Sequence, residues 1–243
     1  MSGVLCVWAA NIPESSEQWY EDEYIPEMTT KLAQHTLHCE VVEVGLDDEA
    51  DGVGEREAPW KWLTVYEMED AAKATEATYD KSNHAEMTGP LAQARFDVRT
   101  YDEVKRWQHK DWDGNHEDVV SVAVMEWQIK GDNEKEIIEH YQKDAVSTIV
   151  SSPDVLRFRV FKVRNATVLK ADSYQTLERK ALHTYLTLVE LAIEEWPWDV
   201  VVELGNKPKW REYWEGQKAV RWQSSHYVVK RSYPDPDEGG SEE

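Results

Sequence analysis

The chain of 243 residues carries 48 acidic against 27 basic side chains, a formal net charge of −21, which argues against nucleic-acid binding because that needs clustered Lys and Arg to displace phosphate counterions. With 41% apolar residues there is enough for a globular core in one large or two medium domains. No apolar run approaches the ~20 residues of a membrane helix, and Val4–Ala10 is too short and lacks the basic flank of a signal peptide, so a cytoplasmic protein without a membrane partner is expected.

In chain order, the apolar run Val4–Ala10 predicts a first strand. Ser15–Gln34 predicts a helix, with Trp19, Tyr20, Tyr24, Met28 and Leu32 near helical spacing, Ser15 or Ser16 as cap, and Pro26 as the point that kinks or divides it. Leu37–Val44 and Trp60–Met68 predict strands on either side of an acidic, glycine-containing loop, Asp47–Glu57. Asp70–Tyr79 reads as a helix opened by Asp70, and Phe96–Trp107 as a closing strand. The pattern then recurs: strand Val119–Gln128, helix Asn133–Ile149 capped by Asn133 with Glu136 three residues on, strands Val155–Val163 and Ala181–Leu191, a Trp-rich helical stretch Glu195–Glu215, and strand Val220–Lys230. The final residues, 234–243, read as a disordered acidic tail.

Three segments have echoes half a chain later. Val4-Leu-Cys-Val-Trp-Ala-Ala is answered by Val122-Ala-Val-Met-Glu-Trp127, Trp19-Tyr20 by His140-Tyr141, and Trp62-Leu-Thr-Val-Tyr-Glu67 by Tyr185-Leu-Thr-Leu-Val-Glu190, with offsets of 118, 121 and 123. The expected fold class is α+β: two tandem ferredoxin-like βαββαβ domains, residues 1–110 and 117–233, forming an intramolecular α/β barrel. Each such sheet has helices on one face only, so the bare faces cover one another. Cys6 and Cys39 sit in apolar alternating segments and read as two buried thiols.

Trp19-Tyr20-x-x-Glu23-Tyr24-Ile25-Pro26 resembles the aromatic-Tyr-x-x-Glu-His-Ile-Pro signature of the dimeric α/β-barrel superfamily, in particular its EthD-like and fungal branches; Phe96-Asp-Val-Arg99-Thr-Tyr101 resembles the family's closing strand, and Pro208-Lys-Trp210 before Arg221-Trp222 the segment preceding it. Where many members carry His, this chain has Tyr24 in the first copy and Ala145 in the second, leaving Tyr24 to inherit part of that role. The resemblance implies a site between sheet and helices for a small, often aromatic or polyketide-like molecule, in a superfamily that includes cofactor-free cyclases, isomerases, lyases, decarboxylases, quinone-forming monooxygenases and haem enzymes.

Twelve Trp residues are the unusual feature of the composition. Large flat side chains fill cores, and they also wall sites for bulky organic ligands. Trp8, Trp19 and Trp62 are the expected substrate-binding members, with Thr64, Arg99 and Tyr101. His38, His183 and His226, read as strand-borne, and the tyrosines Tyr24 and Tyr66 are the candidate acid and base groups, since His titrates near neutrality. Tyr66 shares a strand face with Thr64 and Trp62, while Glu67 and its counterpart Glu190 point the other way. Each is read as a structural hydrogen-bonding carboxylate or, if buried with a raised pKa, an acid. There is no HExxH, Cys pair, GxSxG, P-loop or GxGxxG, so no metal and no cofactor is expected; the sequon at Asn165-Ala-Thr167 is one a cytoplasmic chain would not use. The expected activity is a cofactor-independent cyclase, isomerase or lyase acting on a hydrophobic polyketide- or terpenoid-like molecule of fungal-type secondary metabolism, in a monomer with a pseudo-dimeric barrel or a homodimer. A cofactor-free monooxygenase of phenols and a non-catalytic small-molecule-binding protein are the alternatives.

Overall fold

A computed structural model describes residues 2–42, 60–73, 75, 89–170, 173–177 and 182–234. The Asp47–Glu57 loop and all but the first residue of the acidic tail lie outside the described residues. Among the described residues nine strands form the sheet: β1 (Gly3–Ala10), β2 (His35–Val41), β3 (Trp62–Met68), β4 (Arg95–Gln108), β5 (Ser121–Ile129), β6 (Val155–Lys170), β7 (Ser173–Leu177), β8 (Tyr185–Leu191) and β9 (Val220–Tyr233). Their order is β4-β1-β3-β2-β9-β5-β8-β6-β7, and β4 pairs with β6, so eight strands close into an antiparallel barrel while β7 extends β6 outward. Within each half the spatial order of the four barrel strands is the same, fourth-first-third-second. The halves are joined along two seams, β2 to β9 and β4 to β6, and closure leaves neither sheet with a free edge there.

Period-two alternation sorts the side chains into three cores. Val4, Cys6 and Trp8 of β1, Leu37 and Cys39 of β2, and Leu63 and Val65 of β3 point into the barrel, meeting Val122, Val124, Phe161, Leu186, Leu188 and Tyr227 of the other half. Cys6 and Cys39 are buried thiols in this interior. The opposite faces carry the helices: Leu5, Ala9, Trp62, Tyr66, Met68 and Phe96 pack under those of the first half, and Ala123, Trp127, Phe158, Tyr185 and Val189 under those of the second.

The helices following β1 and β5 depart from expectation in the same way. Helix α1 (Glu14–Trp19) and helix α2 (Ile25–Leu32) are separated by a π turn at Tyr20–Tyr24, in which the Ile25 N–H donates to the Tyr20 carbonyl. Helix α3 (Glu134–His140) and helix α4 (Val146–Ile149) flank a second π turn at Tyr141–Ala145, closed by Val146 N–H to Tyr141 C=O. The break falls ahead of Pro26, which sits in the first turn of α2, where proline is well tolerated. Ser147 stands one residue into α4 in the other half, so proline is not what creates the turn. Asn133 opens α3 as expected, but neither expected side-chain cap bond forms. Pro13 holds the N-cap position of α1, the Ser16 hydroxyl donates instead to the Pro90 carbonyl, and Asn133 makes no side-chain cap. Asp70 does cap a turn, accepting from Ala72 N–H at 3.0 Å; residues 71–73 are helical and most of the rest of that expected helix lies outside the described residues.

The expected strands are present with shifted ends. β6 runs seven residues past the predicted Val163 and forms a hairpin with the unanticipated β7, because its continuation pairs with β4 across the seam. The Trp-rich stretch divides into α5 (Trp198–Asn206) and α6 (Pro208–Trp214). His183 lies ahead of β8 and is not strand-borne. No helix among the described residues is long and apolar enough to cross a membrane.

Candidate active site beneath the first π turn

Register places the helix-facing residues of β2 and β3 side by side, with His38 opposite Thr64. His38 Nδ1 lies 2.9 Å from Thr64 Oγ1, and both side chains are fully buried. The imidazole stacks on Trp62 with ring centroids 5.0 Å apart and meets the Tyr20 ring edge-on at 5.8 Å. On its other side, His38 Nε2 is 3.6 Å from Glu21 Oε1, a carboxylate supplied by the π turn and partly open to solvent. This contact with His38 holds the Glu21 carboxyl below its ordinary range, against a smaller upward push from burial. An ionised Glu21 selects the tautomer with hydrogen on Nε2, so Nδ1 accepts from the Thr64 hydroxyl.

Tyr20, first residue of the π turn, completes the cluster. Its phenol is buried, is influenced by the nearby Thr64 hydroxyl, and makes no hydrogen bond of good geometry among the described residues. Burial pushes its pKa up to about 12, so it remains a protonated donor at any physiological pH. Tyr24 stacks on Tyr20 at 5.5 Å and touches Trp19 at 5.7 Å, making a half-buried rim. Tyr66 is buried, its phenol driven well upward by burial and by the phenols of Tyr20, Tyr24 and Tyr233 around it.

The structure thus brings His38, Thr64, Tyr66, Tyr24, Trp19 and Trp62 together, and adds Tyr20 and Glu21. Trp8, Arg99 and Tyr101 are on the other side of the sheet, inside the barrel. There the Arg99 guanidinium binds Asp97 at 2.7 and 2.8 Å and Glu126 at 2.6 Å, Tyr101 donates to Glu126 at 2.9 Å, and Gln223 also donates to Glu126. His226 is in the second half, 2.9 Å from the Ser121 hydroxyl and beside Trp196, its pKa lowered by burial. Half-buried His183 is in neither helix-face core.

Glu67 and Glu190 also face the barrel interior, where Arg157 and Arg159 bind both of them. Burial raises the Glu67 carboxyl, but Arg159 and Arg157 outweigh it and leave the pKa at about 2; Glu190 is likewise lowered. Neither is the raised-pKa acid that burial alone suggested. Among the described residues no three His, Cys, Asp or Glu side chains converge as a metal site.

The second half has a different arrangement. Thr187 takes the place of Thr64 and Tyr141 that of Tyr20, but Val160 stands opposite Thr187 where His38 faces Thr64. Here the polar atoms satisfy one another: Tyr141 is 2.8 Å from the Thr187 hydroxyl, and Trp127 N–H donates to it at 3.1 Å. By register Trp127 is the counterpart of Ala9, and its indole fills the second core against Tyr185, Tyr141 and Trp214.

Three solved structures share this architecture along nearly the whole chain. An anthrone oxidase-like protein superposes with TM-score 0.58 at 9% identity, over 95% of this chain and 92% of that one. The likeness is one of fold. A monooxygenase-type protein from Lactobacillus acidophilus gives 0.53 at 9% identity, with 95% of each chain covered, and one from Fusobacterium nucleatum gives 0.52 at 14%, covering 95% and 93%. The chain therefore has a ferredoxin-like barrel fold. No protein-family model and no curated protein matches its sequence.

Proposed function

We propose that the first half holds a cofactor-independent oxygenase site for an electron-rich phenolic substrate, and that the chain is a tandem pair of ferredoxin-like units, residues 1–110 and 117–233, of the EthD-like kind, in which only the first unit keeps its chemistry. The observation that carries this reading is the line from half-buried Glu21 through buried His38, Thr64 and Tyr20 under an aromatic roof, matched in the second half by Val160 and a fully satisfied polar pair. Fold neighbours described as anthrone oxidase-like and monooxygenase-type favour oxygenation over the cyclase, isomerase or lyase chemistry expected from the sequence.

An activated methylene flanked by phenolic rings, as in an anthrone, would lie against Tyr20 and Trp62, with Trp19 and Tyr24 at the rim. Its proton passes through the Thr64 hydroxyl to His38 Nδ1, and Glu21 stabilises the imidazolium that forms. The Tyr20 O–H donates to the substrate oxygen on which negative charge collects. The carbanion, delocalised into the rings, gives its electrons to dioxygen and forms a carbon hydroperoxide. Loss of water then leaves a carbonyl. The methylene has been oxidised by four electrons, one oxygen atom remains in the product, and the other leaves as water.

The test is oxygen uptake on a hydroxylated anthrone, corrected for its autoxidation. One dioxygen is expected per quinone formed, with kcat reduced about 10²- to 10⁴-fold in His38→Gln, the range for loss of a general base. Product formation without oxygen uptake would return the site to isomerase or cyclase chemistry. Saturable binding with no product at all would make it a binding protein.

A further inference from the structure

The last strand of each half crosses into the helix layer of the other. Trp107, at the end of β4, packs edge-on against Phe158 at 5.7 Å under the second half's helices. Tyr233, at the end of β9, is buried under those of the first. The pairings are equivalent: Trp107 faces Phe158 on β6 as Tyr233 faces Thr36 on β2. Of the two, only Tyr233 has a hydroxyl, and that hydroxyl donates to the Glu21 carbonyl at 2.8 Å. The π turn closes by a bond that skips one residue further than an α-helix, and residue 26 is a proline with no N–H to offer, so an outside donor at Glu21 supplies what the helix does not.

One further contact and one irregularity of the same strand bear on the same place. Arg231 pairs with Asp22, the next residue of the π turn, at 2.6 Å. The β2 to β9 register slips between His38 and Cys39, which face Arg231 and Val229, so the bulge falls beside the imidazole. Bulges at such positions re-aim a side chain. We propose that Tyr233 is a positioning residue: by holding the Glu21 carbonyl it fixes the Glu21 carboxylate against His38, and the first half's site is complete only when the second half's final strand is in place. This deepens the oxygenase reading and rests on it.

The experiment compares Tyr233→Phe, Tyr233→Trp and His38→Gln in the full chain. With a hydroxylated anthrone as probe, Tyr233→Phe is expected to lower kcat about tenfold while KM stays within about twofold, the effect of one lost hydrogen bond acting through Glu21. Tyr233→Trp, which copies Trp107, should behave alike. Independently of any substrate, the imidazole nitrogen resonances of His38 should move in Tyr233→Phe, because its contact with Glu21 is loosened. Unchanged His38 resonances would overturn the positioning role, as would unchanged kcat in Tyr233→Phe alongside inactive His38→Gln, which leaves the oxygenase reading standing. Full activity in His38→Gln would instead remove the oxygenase reading itself.

Discussion

Glu67 and Glu190 are counterparts in the two halves, yet their role follows from neighbours on a third strand. Arg157 and Arg159 lie between them inside the barrel, and both carboxylates are held ionised. Glu67 has a folded pKa of about 2 against roughly 4.3 in an unfolded chain. A depressed folded value contributes stability that is complete above the unfolded pKa and is lost as pH falls through the folded one. Chemical denaturation is therefore expected to show this stabilisation fading from about pH 4.3 down to about pH 2, with a flatter acid limb in Glu67→Gln. At neutral pH Glu67→Gln should destabilise by about 3–5 kcal/mol, because it leaves buried guanidinium charge uncompensated. The sequence marked these two glutamates as equivalent by their offset, but nothing in it showed that Arg157 and Arg159 would reach across from β6.

The paired π turns separate the halves most clearly from an ordinary helix-on-sheet design. Such turns often mark functional positions, and here the first delivers Tyr20 and Glu21 to His38 and Thr64. Removing one residue, exposed Glu23, should restore α-helical spacing and rotate Tyr20 or Glu21 away. The expected result is a folded protein with unchanged far-ultraviolet dichroism and turnover reduced about a hundredfold or more, as for a misplaced base. In the second half Trp127 occupies space under helices α3 and α6, so Trp127→Ala should cost about 3–5 kcal/mol in urea unfolding without touching oxygen uptake. The strand face shared by Trp62, Thr64 and Tyr66 was legible from period-two alternation, but the register that sets His38 opposite Thr64 was not. Tyr20 lay in plain sight within the motif, but Glu21 was not readable: α-helical spacing gives no reason to aim two adjacent residues at one imidazole. Tyr233 was hidden because the seam between β2 and β9 depends on closure of the whole barrel.

At the scale of the molecule, strand order repeats, whereas the His38–Thr64 pair of the first half is replaced by Val160 and Thr187 in the second. Each half alone would expose the barrel-lining faces of its sheet and the edges of β2 and β4, or of β6 and β9. Residues 1–110 expressed alone are therefore expected to self-associate, seen by light scattering as dimers or larger species, since unpaired edges template further pairing. The division of labour is also testable on the intact chain. Calorimetric titration with a hydroxylated anthraquinone, the product class of the proposed reaction, should show one binding event per chain, weakened in Tyr20→Phe and unaltered in Tyr141→Phe; two equivalents per chain, or sensitivity to Tyr141 in place of Tyr20, would contradict it.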